Sequence, residues 1–161
     1  DVRADEFGTC VHNCFAVYDH GNHAENQVKT ACLIGAYGLD GHLRAEDVVG
    51  RAGSFYEYVE REYGRIRKAW RELPFCRRRD GQVITGEIDL YLELENGMGV
   101  LVDYKNPVGT AVEGNVMDIA AEKALKYAPQ LGCYKEALET AGRNVTHVFV
   151  YYPVWGVLAE L

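Results

Sequence analysis

Residues 83–105 read VITGEIDLYLELENGMGVLVDYK. From Val83 to Leu94 the residues alternate, with Ile88, Leu90, Leu92 and Leu94 on one face and Asp89, Tyr91 and Glu93 on the other, the period of a half-buried strand. Gly99 to Lys105 is a short apolar run that fits a buried strand. Asn96-Gly97 between them is a strong hairpin signal. Register then decides whether two carboxylates can cooperate. With a two-residue loop at Asn96-Gly97, Glu95 pairs with Met98, and Asp89 falls opposite Tyr104, pointing away from Asp103. A three-residue loop or one bulge near Gly97 and Gly99 changes the parity and returns Asp89 and Asp103 to one face.

Before the hairpin the period is helical. Phe7–Tyr18, Ala24–Tyr37 and Ala45–Tyr63 read as three helices punctuated by Gly21, Gly38 and Gly41, with Ala52, Phe55, Tyr56, Val59 and Tyr63 in one stripe. Trp70–Arg77 reads as a first strand. After the hairpin come an irregular loop from Pro107 to about Asp118 and a helical stretch to about Ala141. Pro129 in that stretch suits the first turn of a second helix. Strands over Val145–Tyr152 and Val157–Leu161 finish the chain. The order predicts one α+β domain over 1–161, with a helical part at 1–64 and a central mixed sheet with its helix over 67–161.

The chain has 161 residues, 48% hydrophobic and 25% charged, which excludes disorder and low complexity. It has no apolar run long enough for a membrane span and no basic-then-apolar leader, so a cytoplasmic protein is expected. It opens at Asp1 without a methionine and reads as a piece of a longer protein. The net charge of −7 argues against holding nucleic acid by bulk charge. Eight cations, Arg61, Arg65, Arg67, Lys68, Arg71, Arg77, Arg78 and Arg79, crowd one segment, which is either a solvated face or a phosphate-contacting rim. Five cysteines with no CxxC pair suggest reduced thiols. Cys10 and Cys14 with His12 on another helical face suit no tetrahedral zinc site.

The chemistry concentrates in the hairpin. Carboxylates on adjacent strands, Asp89 and Asp103, with the Tyr104 carbonyl, supply oxygen ligands for a hard cation such as Mg²⁺. Lys105 lies two residues beyond Asp103 and shares its face. There its ammonium can hold a water or stabilise charge on a phosphate during in-line hydrolysis.

At these residues the chain resembles the RecB-type branch of the PD-(D/E)XK nuclease family, whose signature couples a Gly-x-x-Asp strand, here Gly86 to Asp89, to an Asp-Tyr-Lys strand, here Asp103 to Lys105. Gly8-Thr9-Cys10-Val11-His12 is similar to the family's first-helix motif, Glu72-Leu73-Pro74-Phe75 to the motif opening its first strand, and Tyr127-Ala128-Pro129-Gln130 with Tyr134 to its helix motif. Gln130 and Tyr134, at i,i+4, share one helical face. Within the family the likeness is greatest to the carboxy-terminal nuclease domain of AddA-type helicase-nuclease subunits. Two departures stand out: Asn106-Pro107 replaces the usual threonine after Asp-Tyr-Lys, and Ile88 replaces the proline that names the larger family.

The resemblance implies a restriction-endonuclease-like core in α-β-β-β-α-β order and a Mg²⁺- or Mn²⁺-dependent deoxyribonuclease, an exonuclease driven by ATP only in a full-length complex. By that resemblance His12, Asp89, Asp103 and the Tyr104 carbonyl hold the metal, Asp89, Asp103 and Lys105 carry catalysis, and Glu72, Gln130 and Tyr134 support it at the rim. The cysteines that hold an iron–sulfur cluster in AddB-type subunits are absent, so no cluster is expected. Expected partners are DNA, helicase domains of the same parent chain and an AddB-like subunit in double-strand break repair. Alternatives are a non-cleaving DNA-binding or assembly module of the same fold and a free-standing restriction or phage nuclease.

Overall fold

The computed structural model describes residues 3–106 and 115–161. Most of the loop expected from Pro107 therefore lies outside the described residues. The elements are α1 (Ala4–Val17), α2 (His23–Ala36), α3 (Ala45–Tyr63), β1 (Ile66–Arg79), β2 (Gln82–Leu94), β3 (Gly99–Tyr104), α4 (Val116–Leu125), α5 (Ala128–Thr140), β4 (His147–Tyr152) and β5 (Val157–Glu160). The strands form one mixed sheet in the order β1-β2-β3-β4-β5, parallel only between β3 and β4. This is the expected α+β architecture with helices on both faces, consistent with a restriction-endonuclease-like fold.

Each face of the sheet carries its own core. On one side Cys10, Val11 and Phe15 of α1 and Val48, Ala52, Phe55 and Val59 of α3 pack on Leu90, Leu92, Val100 and Val102. On the other, Ala120 and Ala124 of α4 and Leu131 and Leu138 of α5 pack on Ile88, Leu101 and Val150. Covered on both faces, all six residues of β3 are buried, which explains its unbroken apolar sequence. Each fully buried Leu or Val there contributes about 1.5–3 kcal/mol.

The turns set the registers. Asp80 and Gly81, both at positive φ (50° and 79°), close a two-residue loop between Arg79 and Gln82, the geometry that suits the twist of a long hairpin. Between β2 and β3 the loop is Glu95-Asn96-Gly97, three residues long, with Gly97 at φ 82° and the Leu94 amide donating to Met98 O at 2.9 Å. The third residue supplies the parity change that the carboxylates need: the ladder runs from Glu93↔Gly99 to Leu90↔Val102, so Asp89 comes level with Asp103. As expected at Pro129, the helical stretch breaks into two, with Tyr127 between α4 and α5 and the proline in the first turn of α5.

One expectation from alternation is corrected. Ile88 does not share a face with Leu90, Leu92 and Leu94; it lies in the core under α4 and α5, whereas they lie under α1–α3. The cause is Glu72, which holds φ 46° in the middle of β1, a conformation rare for a residue with a Cβ. Arg71 pairs with Leu90 and Leu73 with Ile88 on either side of it. Both strands thus turn over together at the Glu72/Asp89 level, and neither gains a residue.

Candidate active site

The site forms where β2 and β3 part company. β2 stays paired with β1 along its length, and β3 stays paired with β4 as far as Tyr104↔Tyr151, but the β2–β3 ladder stops at Leu90↔Val102. The Tyr104 amide is left over at that fork. Asp89 Oδ2 accepts it at 2.6 Å, so a side chain completes what a further backbone rung would have supplied. Asp89 is fixed at the mouth of the fork, its side chain 14% exposed.

α1 closes one side. A Cβ added at Gly8 would lie 2.7 Å from the Asn106 side chain, so the glycine lets α1 approach the end of β3 closely. One turn later the helix presents His12, whose ring stands edge-on to Tyr104 at 5.6 Å between centroids. His12 Nε2 lies 3.6 Å from Glu72 Oε1 and 3.9 Å from Asp89 Oδ1. Ligand atoms of His12, Glu72 and Asp89 all fall within 4.8 Å of one another. Glu72, expected at the rim, stands inside this cluster because its unusual backbone turns it toward Asp89.

Asp103 and Lys105 occupy the other side of the fork. Lys105 Nζ approaches Asp103 Oδ2 to 2.7 Å as an ion pair rather than an aligned hydrogen bond. The ammonium also sits 4.8 Å from the centre of the Tyr127 ring. Gln130 Nε2 donates to the Tyr134 hydroxyl oxygen at 2.5 Å, the partnership their spacing predicts. Tyr134 in turn meets Phe75 edge-on at 5.3 Å. Phe75 lies across Gly86, where an added Cβ would stand 2.7 Å from the ring. The glycine of the β2 motif and the phenylalanine of the β1 motif are thus two halves of one contact.

Burial and crowding hold the acids above their ordinary range. Desolvation, then a hydrogen bond to Glu87 and the charge of Asp89, raise Glu72 to about 8. Desolvation and the neighbouring Asp103 raise Asp89 to about 6, against the Tyr104 amide. Desolvation also raises Asp103, and Lys105 opposes it. Glu72 Oε1 is buried with no hydrogen-bond partner. Two carboxylates and an imidazole, one oxygen without a donor and the acids crowded together, fit a hard divalent cation, which would relieve their repulsion. Asp103 stands beside this trio, paired with Lys105.

Two residues near the site escaped the sequence reading. Glu87 was legible as a strand neighbour of Asp89 two residues away, and its contact with Glu72 follows from the turnover of the strands. Tyr127 was visible only as the start of a helix motif, because its contact with Lys105 spans 22 positions of sequence. Most cations of the basic segment have a partner. Arg61 pairs with Glu62, Arg67 with Glu93, Arg71 with Asp19, and Arg77 and Arg79 with Glu136, while Lys68 lies over Trp70 at 3.8 Å. Among the described residues, only Arg65 and Arg78 of the eight lack such a partner. No helix of the described residues is long and apolar enough to cross a membrane.

The model of the PD-(D/E)XK nuclease superfamily matches residues 1–154. The chain therefore belongs to the PD-(D/E)XK nuclease superfamily, whose members typically depend on divalent metal ions. No curated protein matches the sequence.

Proposed function

We propose that the chain is a Mg²⁺- or Mn²⁺-dependent deoxyribonuclease domain whose chemistry centres on the fork between β2 and β3. One observation carries the reading: His12, Glu72 and Asp89 converge within 4.8 Å beside the Asp103–Lys105 ion pair at 2.7 Å. His12, Glu72, Asp89, Asp103 and the Tyr104 carbonyl are the groups assigned to the cation. When bound, the cation supplies charge neutralisation at a phosphate and lowers the cost of generating hydroxide at neutral pH.

The chain's own residues do the remainder. Asp89 is held by the Tyr104 amide, so its second oxygen stays aimed toward His12. Lys105 is placed to hold a water or to meet the charge that develops on the phosphate oxygens. Gln130 and Tyr134, locked together and backed by Phe75, line the α5 side. An inactive assembly module is disfavoured because both Asp103 and Lys105 are present and paired. The motif order further supports the nuclease module of an AddA- or RecB-like helicase-nuclease, acting as an exonuclease on DNA in the cytoplasm with an AddB-like partner in break repair.

The test is digestion of labelled single-stranded DNA with Mg²⁺, Mn²⁺ or EDTA, by the parent and by Asp103→Asn and Lys105→Ala. Metal-dependent cleavage lost in both variants supports the reading. Cleavage in EDTA, or undiminished cleavage by Asp103→Asn, would place the chemistry elsewhere.

A further inference from the structure

Lys105 shares one aromatic ring with a second lysine. Its Nζ and that of Lys126 each lie 4.8 Å from the centroid of Tyr127, well inside the range of a cation–π contact. Tyr127 occupies the N-cap position of α5 but makes no side-chain capping hydrogen bond there. The ring packs against the core between the sheet and α4–α5. Among the described residues, both ammonium groups lie over this ring.

We infer that Tyr127 is a positioning residue that holds the Lys105 ammonium in the fork. The inference rests on the proposed role of Lys105 in cleavage. A lysine side chain loses much rotamer entropy when its ammonium is fixed at one point. Asp103 provides one anchor, but it is also assigned to the cation, and a carboxylate shared with a divalent ion attracts the ammonium less. The Tyr127 ring is an anchor outside that competition. Its attraction comes from the ring quadrupole and is unaffected by what binds Asp103. Lys126 is exposed and sits on the same ring without entering the acidic cluster.

Four variants test this: Tyr127→Leu, Tyr127→Phe, Lys126→Ala and Lys105→Ala, compared by single-strand cleavage kinetics. Tyr127→Leu should lower kcat about two- to thirtyfold with KM little changed, and Tyr127→Phe, which keeps the ring face, should restore it. In the Lys105→Ala background Tyr127→Leu should cost nothing further. A second readout needs neither metal nor activity. Acylation of the Lys105 amine by an N-hydroxysuccinimide ester, followed by peptide mass spectrometry, should speed up in Tyr127→Leu and remain at the parent rate in Tyr127→Phe.

If Lys105→Ala cleaves normally, the proposed function of Lys105 fails rather than the role of Tyr127. If Lys105→Ala is inactive while Tyr127→Leu keeps the parent kcat and labelling rate, the inference is overturned. It is equally overturned if Tyr127→Phe is as impaired as Tyr127→Leu, since the hydroxyl would then be the acting group. A rise in KM alone, matched by Lys126→Ala, would also overturn it by assigning the ring to the outer lysine.

Discussion

Replacing Asp89 by Asn should make the metal-free protein more stable at pH 8 while removing its activity. Asp89 is mostly buried beside Asp103, and its pKa stands at about 6 against an ordinary 3.8. A carboxyl with a higher pKa folded than unfolded binds more protons in the native state, so stability is greatest in acid and is lost as pH rises from 3.8 through about 6. At 1.36 kcal/mol per pKa unit the ionised group costs about 3 kcal/mol at pH 8. Asn keeps an oxygen for the Tyr104 amide and carries no charge, so most of that cost should disappear. For a chain of this size the gain is about 6 to 12 °C in Tm. It should shrink to a few tenths of a kcal/mol near pH 4, where the native carboxyl is protonated. Thermal and urea unfolding in EDTA between pH 4 and 8 measures the difference between Asp89→Asn and the parent. Adding Mg²⁺ should then stabilise the parent and leave the variant nearly unmoved. A variant less stable than the parent at pH 8 in EDTA, or a gain independent of pH, would refute the account of the fork as a place of unrelieved negative charge.

Two further outcomes follow from the packing. Gly99→Ala should destabilise the protein by about 3 kcal/mol or more, because its Cβ would fall 1.8 Å from the Asn144 carbonyl oxygen; urea unfolding reads the loss, and a stability within 0.5 kcal/mol of the parent contradicts the contact. Arg78→Ala should lower the salt slope of DNA binding in Ca²⁺ by about 0.7 to 0.9, whereas Arg77→Ala, whose side chain is bound to Glu136, should leave the slope unchanged. Equal slopes in all three proteins would make Arg78 a solvated residue.

The hairpin was legible because its controlling information is local. A glycine after Glu95-Asn96, a short apolar run and the need for two acids on one face together call for either a three-residue loop or a bulge, and the structure takes the loop. Pro129 likewise marks its own helix boundary. The turnover at Glu72 was not legible, since nothing in the residue type announces a positive φ and the alternation through Ile88 looks regular in one dimension. Its consequences, Glu72 beside His12 and Ile88 in the second core, were hidden with it. The pairing of the arginines was hidden for a different reason. Glu136 lies 59 residues beyond Arg77, and an ion pair leaves no periodic trace in either segment. Tyr127 combines both difficulties, as a half-buried aromatic whose partner is brought by a separate strand.

The joint turnover of β1 and β2 also limits how this part of the chain can change in length. Beyond the Glu72/Asp89 level the two strands form an arm that ends in the tight Asp80-Gly81 turn, and Phe75, Gly86 and Arg77 seat its inner portion against α5. Residues added in matched pairs at the tip would only lengthen the arm. A single residue inserted in one strand between the tip and Glu72 would throw the strands out of phase, parting Phe75 from Gly86 or Glu72 from Asp89. Variation in arm length is therefore tolerable in even steps, and odd steps would be felt at the acids some distance away.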